Sequence, residues 1–213
     1  LMAFIANSLN RIKVSPTMAV TNLASELKAK GRSIISLGAG EPDFDTPQNI
    51  KDAAKIAIDE GQTKYTPVGG TIELKKAISE KFKKENNLQY EPSKEITVSN
   101  GGKHVIFNAL VSTLNEGDEV IIPSPYWVSY PDIVLFAGGK PVIVKTSIES
   151  GFKASVEDIE KAITDRTKWL ILNSPSNPTG SAYTSDELIK IGSLLEKYPN
   201  IWVMSDDIYE HLV

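Results

Sequence analysis

The sequence predicts an α/β protein whose largely parallel sheet is covered by helices on both faces. Three observations lead there. Short β-branched apolar runs alternate with helix-length amphipathic stretches along most of the chain. The runs are nearly continuous rather than alternating in polarity, which marks strands buried on both sides. Turn residues separate the segments, with no long linker, internal repeat or low-complexity tract between them.

Residues 17–30 have helical spacing, with Met18, Leu23 and Leu27 on one stripe and Gly31 as the stop. Asp45-Thr46-Pro47 opens a second helix, with Thr46 as N-cap and Pro47 in the first turn, and Gly61 ends it. Gly70 to Asn87 reads as a third, amphipathic helix. From there the rhythm tightens. Strand EITVS (95–99) leads into helix 103–115, strand EVIIP (119–123) into helix 126–137, and strand PVIVK (141–145) follows. Helix 155–163, strand KWLILN (168–173), helix 184–197 and strand IWVMS (201–205) complete the pattern.

At 213 residues and 41% hydrophobic content, the chain can fill one sizeable core and part of a second. A net charge of −4 argues against nucleic-acid binding through bulk charge. With no cysteine, disulfides and thiolate metal sites are excluded, and no metal site is expected. Apolar runs are strand-sized and the first residues lack a signal-peptide layout, so the expectation is a soluble cytoplasmic protein without a membrane partner. The chain opens Leu1-Met2 and stops at His211-Leu212-Val213, just past a strand, which reads as a fragment.

In parallel sheets of this kind, ligands sit beyond the carboxyl ends of the strands. The distinctive residues fall at those ends: Asn100-Gly101-Gly102-Lys103, Ser124-Pro125-Tyr126-Trp127, Ser174 to Gly180, and Asp206-Asp207-Ile208-Tyr209. Each admits a plainer reading alone. Gly101-Gly102 could be a tight turn into a helix, although amides at a helix N-terminus also cradle phosphate. Trp127 and Tyr209 could simply pack, and Asn177-Pro178-Thr179-Gly180 could be only a turn. Asp207 reads as solvent-facing or as a cap. Asp206 is harder to dismiss, because a carboxylate closing an apolar strand needs a partner and no Lys or Arg lies nearby.

Taken together, NPTG (177–180), D-x-x-Y (206–209), GGK (101–103) and Trp127 resemble the class I/II aminotransferases, which use pyridoxal 5′-phosphate (PLP). LGAGEPDFDTP (37–47), KYTPVGG (64–70) and SPYWVSYP (124–131) extend the resemblance from about residue 10 to the last residue. The closest subgroup is the bacterial aspartate aminotransferases, including those that also accept prephenate. The resemblance implies the fold of type I PLP-dependent transferases, with the sheet incomplete in this chain. It divides the chain into an N-terminal arm and first small-domain segment (1–46) and a large cofactor domain (47–213). It also implies that the cation facing Asp206 is the protonated ring nitrogen of PLP. At ~4 Å and an effective dielectric near ~20, such a pair attracts by about 4 kcal/mol.

Tyr209 and Asn177 would then bond the ring 3-oxygen, Trp127 would stack on the ring, and the Gly101, Gly102 and Lys103 backbone would hold the phosphate. Tyr65 resembles the tyrosine that reaches the neighbouring subunit's phosphate, which implies a homodimer with shared sites. Gly40, Trp127 and Asn177 would line the pocket for the substrate α-carboxylate. Lys13 matches the position that contacts the extra carboxylate of prephenate, and reads equally as an exposed lysine. His104 and His211 find no role in this scheme.

One departure stands beside these matches. The family's catalytic lysine, which bonds PLP covalently, lies in a Ser-x-x-Lys context past the next strand. No lysine of this chain lies past the D-x-x-Y strand, and the family's late arginine is also absent. The resemblance therefore implies a cofactor bed without its nucleophile, with no turnover by this stretch alone. The complete protein is expected to move an amino group between aspartate, glutamate or prephenate and a 2-oxo acid. A carbon–sulfur lyase, a cyclopropane-forming synthase or a non-enzymatic phosphate-binding module are the alternatives.

Overall fold

The computed structural model describes residues 4–13, 15–38 and 40–212. Leu1, Met2 and Val213, on which the fragment reading drew, and Ala39 of the 37–47 motif lie outside them. The chain divides into two compact units, Leu1–Lys13 with Gly101–Val213, and Val14–Asn100.

The unit Val14–Asn100 is helical. It holds α1 (Pro16–Ala29), α2 (Gln48–Asp59) and α3 (Ile72–Asn86). The Ser15 side chain caps α1 and the Thr71 side chain caps α3, each accepting an amide that the first turn leaves without a carbonyl partner. Asn87 closes α3 in the left-handed region, φ 54°, a conformation Asn tolerates better than most residues. Thr46 does not cap α2. The helix starts one residue later than expected, with Pro47 at the N-cap and its carbonyl accepting from Lys51 N–H at 3.1 Å.

Residues 95–99, expected as a strand, are not one. A strand exists only through a ladder, and this segment forms none: Val98 N–H donates to Gly69 O at 2.9 Å, while Glu95 N–H turns back to Glu91 O. Gly70 explains that close approach. It has φ +97°, and a Cβ there would stand 2.7 Å from the Val98 side chain.

The other unit carries a short 3-10 turn (Asn7–Arg11) and then α4 (Gly102–Thr113), β1 (Glu119–Pro123), α5 (Ser129–Phe136) and β2 (Lys140–Val144). It continues with α6 (Val156–Ala162), β3 (Thr167–Asn173), α7 (Ser185–Leu195) and β4 (Trp202–Asp206). The four strands form one parallel sheet in the order β2-β1-β3-β4. Side chains alternate across it. Val120, Ile122 and Ile171 pack with Ile106, Leu110, Tyr130 and Val134 of α4 and α5 on one face. Ile121, Leu170 and Leu172 pack with Ile159, Ile191 and Leu194 of α6 and α7 on the other. Burial on both faces is why these strands read as unbroken apolar runs.

The strand order reverses direction beside β1: the chain steps from β1 to β2 on one side, then crosses to β3 on the other. Such a switch point opens a crevice at the carboxyl ends of the two central strands, the usual ligand position in an open α/β sheet. Among the described residues, no helix is long and apolar enough to cross a membrane.

Candidate active site

The carboxyl edge of the sheet holds Asp206, Asn177 and Tyr209 in one cluster and Trp127 with Lys103 in another, both within one unit. β3 ends at Asn173 and β4 at Asp206, and these two residues are register partners. The Asn173 amide uses both ends. Its Nδ2 donates to the Asp206 main-chain carbonyl at 2.8 Å, and its Oδ1 accepts from Asn177 N–H at 2.7 Å. The Asn177 side chain is thereby carried over the strand ends, where its Nδ2 lies 3.5 Å from the Tyr209 hydroxyl. Asn177 and Tyr209, expected to share one acceptor, are neighbours.

Asp206 is half-buried, and its partner within the chain is not a cation. The Tyr130 hydroxyl, from the first turn of α5, donates to Asp206 Oδ2 at 2.5 Å. Burial, followed by this hydrogen bond, pushes the Tyr130 phenol well above its ordinary range, so it is a donor at neutral pH. Asp206 Oδ1 accepts from Ile208 N–H at a long 3.4 Å. Asp207 is exposed, and its Oδ1 accepts from Ser205 Oγ at 2.7 Å.

Trp127 follows β1 and is half-buried. Its ring meets that of Tyr130 edge-on, with centroids 5.4 Å apart and planes at 84°. Lys103 Nζ stands 5.1 Å from the centre of the Trp127 ring, a cation–π distance. Gly101 precedes α4 at φ +86° and no side chain caps that helix end. Nothing lies within 4 Å of where a Gly101 Cβ would project, so the space beside the start of α4 is open. Beneath the strand ends a small cavity of about 30 Å³ is lined by Tyr126, Tyr130, Phe152, Asn173 and Asn177 among others.

Gly40 and Tyr65 belong to the other unit and are exposed there, as is Lys13 in its own. Sequence reasoning missed Tyr130 and Asn173. Each left a signal. Tyr130 lies one helical turn after Trp127 among apolar neighbours, and a buried tyrosine hydroxyl requires a partner. Asn173 closes an apolar strand just as Asp206 does.

The sequence model for aminotransferase class I and II matches residues 32–213. The aspartate/prephenate aminotransferase of Cereibacter sphaeroides is 63% identical over 212 residues, which is 100% of this chain and 53% of that protein. That of Nitrosomonas europaea is 60% identical over 202 residues, 95% of this chain and 51% of its own length. Among solved structures, the aspartate aminotransferase of Rhizobium meliloti superposes with a TM-score of 0.94 at 49% identity, covering 98% of this chain and 52% of that one. The Thermus thermophilus aspartate aminotransferase with maleate gives 0.95 at 46%, covering 100% and 55%. The chain spans about half the length of the relatives it matches. With its parallel sheet, its strand-end acid and asparagines, and a family match over most of its length, the chain belongs to the class I and II aminotransferases.

Proposed function

We propose that the protein carrying this chain is a cytoplasmic, homodimeric aminotransferase that uses PLP to move an amino group between aspartate and a 2-oxo acid. Glutamate and prephenate are its further substrates. The observation that carries the reading is the convergence of Asp206, Tyr209, Asn177 and Trp127 at the carboxyl edge of the sheet. Two close relatives bear the name aspartate/prephenate aminotransferase.

The donor set fits PLP. Asp206 is an acid with one oxygen held and the other bonded only weakly, suited to a pyridine N–H⁺. Asn177 and Tyr209 offer two donors to a phenolic oxygen. The uncapped, glycine-led start of α4 suits a phosphate. When bound, this cofactor supplies an electron sink for the pair left on the substrate α-carbon.

The chain's residues then divide the work. Asp206 keeps the ring nitrogen protonated, and Tyr209 and Asn177 stabilise negative charge on the 3-oxygen. Trp127 offers its face to the ring, while Gly101, Gly102 and Lys103 orient the phosphate through main-chain amides. Trp127 and Asn177 would receive the substrate α-carboxylate, a task the family resemblance also gives Gly40, and Lys13 would receive the extra carboxylate of prephenate. Tyr65 reaches the phosphate held by the second subunit. The large exposed apolar side chains Ile35, Leu37, Phe44 and Val68 in the same unit as Tyr65 support a second copy as partner.

The test is direct. The protein translated from the complete reading frame, given L-aspartate and 2-oxoglutarate, should form oxaloacetate. Asp206→Ala should reduce kcat/KM by about 10²-fold or more, the loss of one well-placed electrostatic group. Pyruvate release from a thioether amino acid, without transamination, would instead assign the protein to the carbon–sulfur lyases.

A further inference from the structure

We propose that Tyr130 is a positioning residue that orients the Asp206 carboxylate and dedicates its Oδ1 oxygen to the cofactor ring nitrogen. The inference rests on the PLP reading of the site and adds a residue to it. Three observations carry it. Tyr130 is 2% exposed, so its side chain is held in the core and its hydroxyl needs an internal partner. It is satisfied by Asp206 Oδ2 at 2.5 Å, across 76 residues of sequence. Asp206 Oδ1, by contrast, holds only the 3.4 Å contact from Ile208 N–H among the described residues.

A free carboxylate flips between two equivalent orientations. A short, charge-assisted bond to one oxygen from a donor fixed in the core removes that freedom before any ligand arrives. Asn173 anchors the main chain of the same residue at 2.8 Å, so neither the backbone nor the side chain of Asp206 has to be ordered on binding. The Tyr130 ring also meets Trp127 edge-on, which links the residue expected at the cofactor's face to the residue expected at its nitrogen. Tyrosine suits the task because its raised phenol stays neutral and keeps donating where an imidazole would titrate.

The test compares ligands that differ only at the ring nitrogen. The protein translated from the complete reading frame and its Tyr130→Phe variant are titrated with PLP and with 1-deaza-PLP, in which carbon replaces that nitrogen, following tryptophan fluorescence. Phenylalanine keeps the ring packed in the core. We expect wild type to prefer PLP, and Tyr130→Phe to lose about tenfold in affinity for PLP but less than about twofold for the analogue. Equal losses for both ligands, or no loss for either, would make Tyr130 a packing residue and overturn the proposal. Asp206→Asn provides the second arm: adding Tyr130→Phe to it should cost no further PLP affinity, and additive losses would overturn the inference. A wild-type protein that fails to distinguish the ligands, or binds neither, removes the PLP reading itself and this inference with it.

Discussion

Asn173 spends its single amide on two backbones, holding the loop that carries Asn177 and the strand end that carries Asp206. Replacing it with alanine leaves one buried carbonyl and one amide unpaired, at about 1–3 kcal/mol each. Asn173→Ala should therefore lower the urea midpoint and weaken PLP binding, whereas Asp207→Ala, which loses only an exposed bond from the Ser205 hydroxyl, should do neither. Tyr130 gives a pH signature. Its folded pKa is raised, so its stabilisation is complete below the unfolded value near 10 and is lost as pH rises through the folded one. The urea midpoint of Tyr130→Phe should accordingly fall less steeply than wild type above about pH 10. At this scale Asp206, Asn177 and Tyr209 were legible because each sits at a strand end in a motif. Tyr130 was not, because its meaning lies in a partner 76 residues away.

Elements are secured at their ends by charge. Glu119, buried at the start of β1, accepts from Lys140 Nζ of β2 at 2.9 Å and from Thr164 Oγ1 before β3 at 2.6 Å. One carboxylate thus ties the amino edges of three strands, opposite the site. The Lys140 bond first, then the Thr164 hydroxyl, hold its pKa below the usual carboxylate range. The sign follows: this stabilisation is present above the unfolded value of about 4.5 and fades as pH falls through the folded one. Glu119→Gln should cost about 1–2 kcal/mol at neutral pH, and the gap to wild type should close in acid, as read by chemical denaturation across pH.

At α7, Thr184 and Glu187 form a reciprocal capping box, and Lys153 pairs with Glu187 at 2.7 Å. The Lys153 bond and the Thr184 amide bring the Glu187 pKa down to about 2. Thr184→Ala should cost about 1 kcal/mol by thermal unfolding. This box stood in the sequence as T-S-D-E before an apolar run. The strand at 95–99 did not survive because β-branched composition supplies a tendency, while a ladder needs a neighbour.

Across the whole molecule, the buried core belongs to one unit. Leu110, Val120, Ile121, Ile122, Val134, Ile159 and Leu170 have no exposed surface, and all lie within Gly101–Val213. In Val14–Asn100, Ile96 is the one buried hydrophobic among the described residues, and α2 and α3 bury none. Amides of α2 and α3 should therefore exchange with deuterium well before those of β1 and β3, since local opening there exposes little new apolar surface. Equal protection in the two units would mean that a further surface, such as a second copy of the chain, covers those helices.

What the sequence determined by itself was local: the glycine stops after α1 and α2, the apolar periodicity of buried strands, and the order of motifs that places the chain among class I and II aminotransferases. Those signals lie within one turn or one strand, where each residue's neighbours are its sequence neighbours. What the tertiary structure decided was the pairing of distant residues. The strand order put Asn173 beside Asp206, the packing of α5 against β1 brought the Tyr130 hydroxyl to the carboxylate, and the sheet left residues 95–99 out. Hydrogen bonds and ladders depend on separation in space, and only the folded chain fixes that separation.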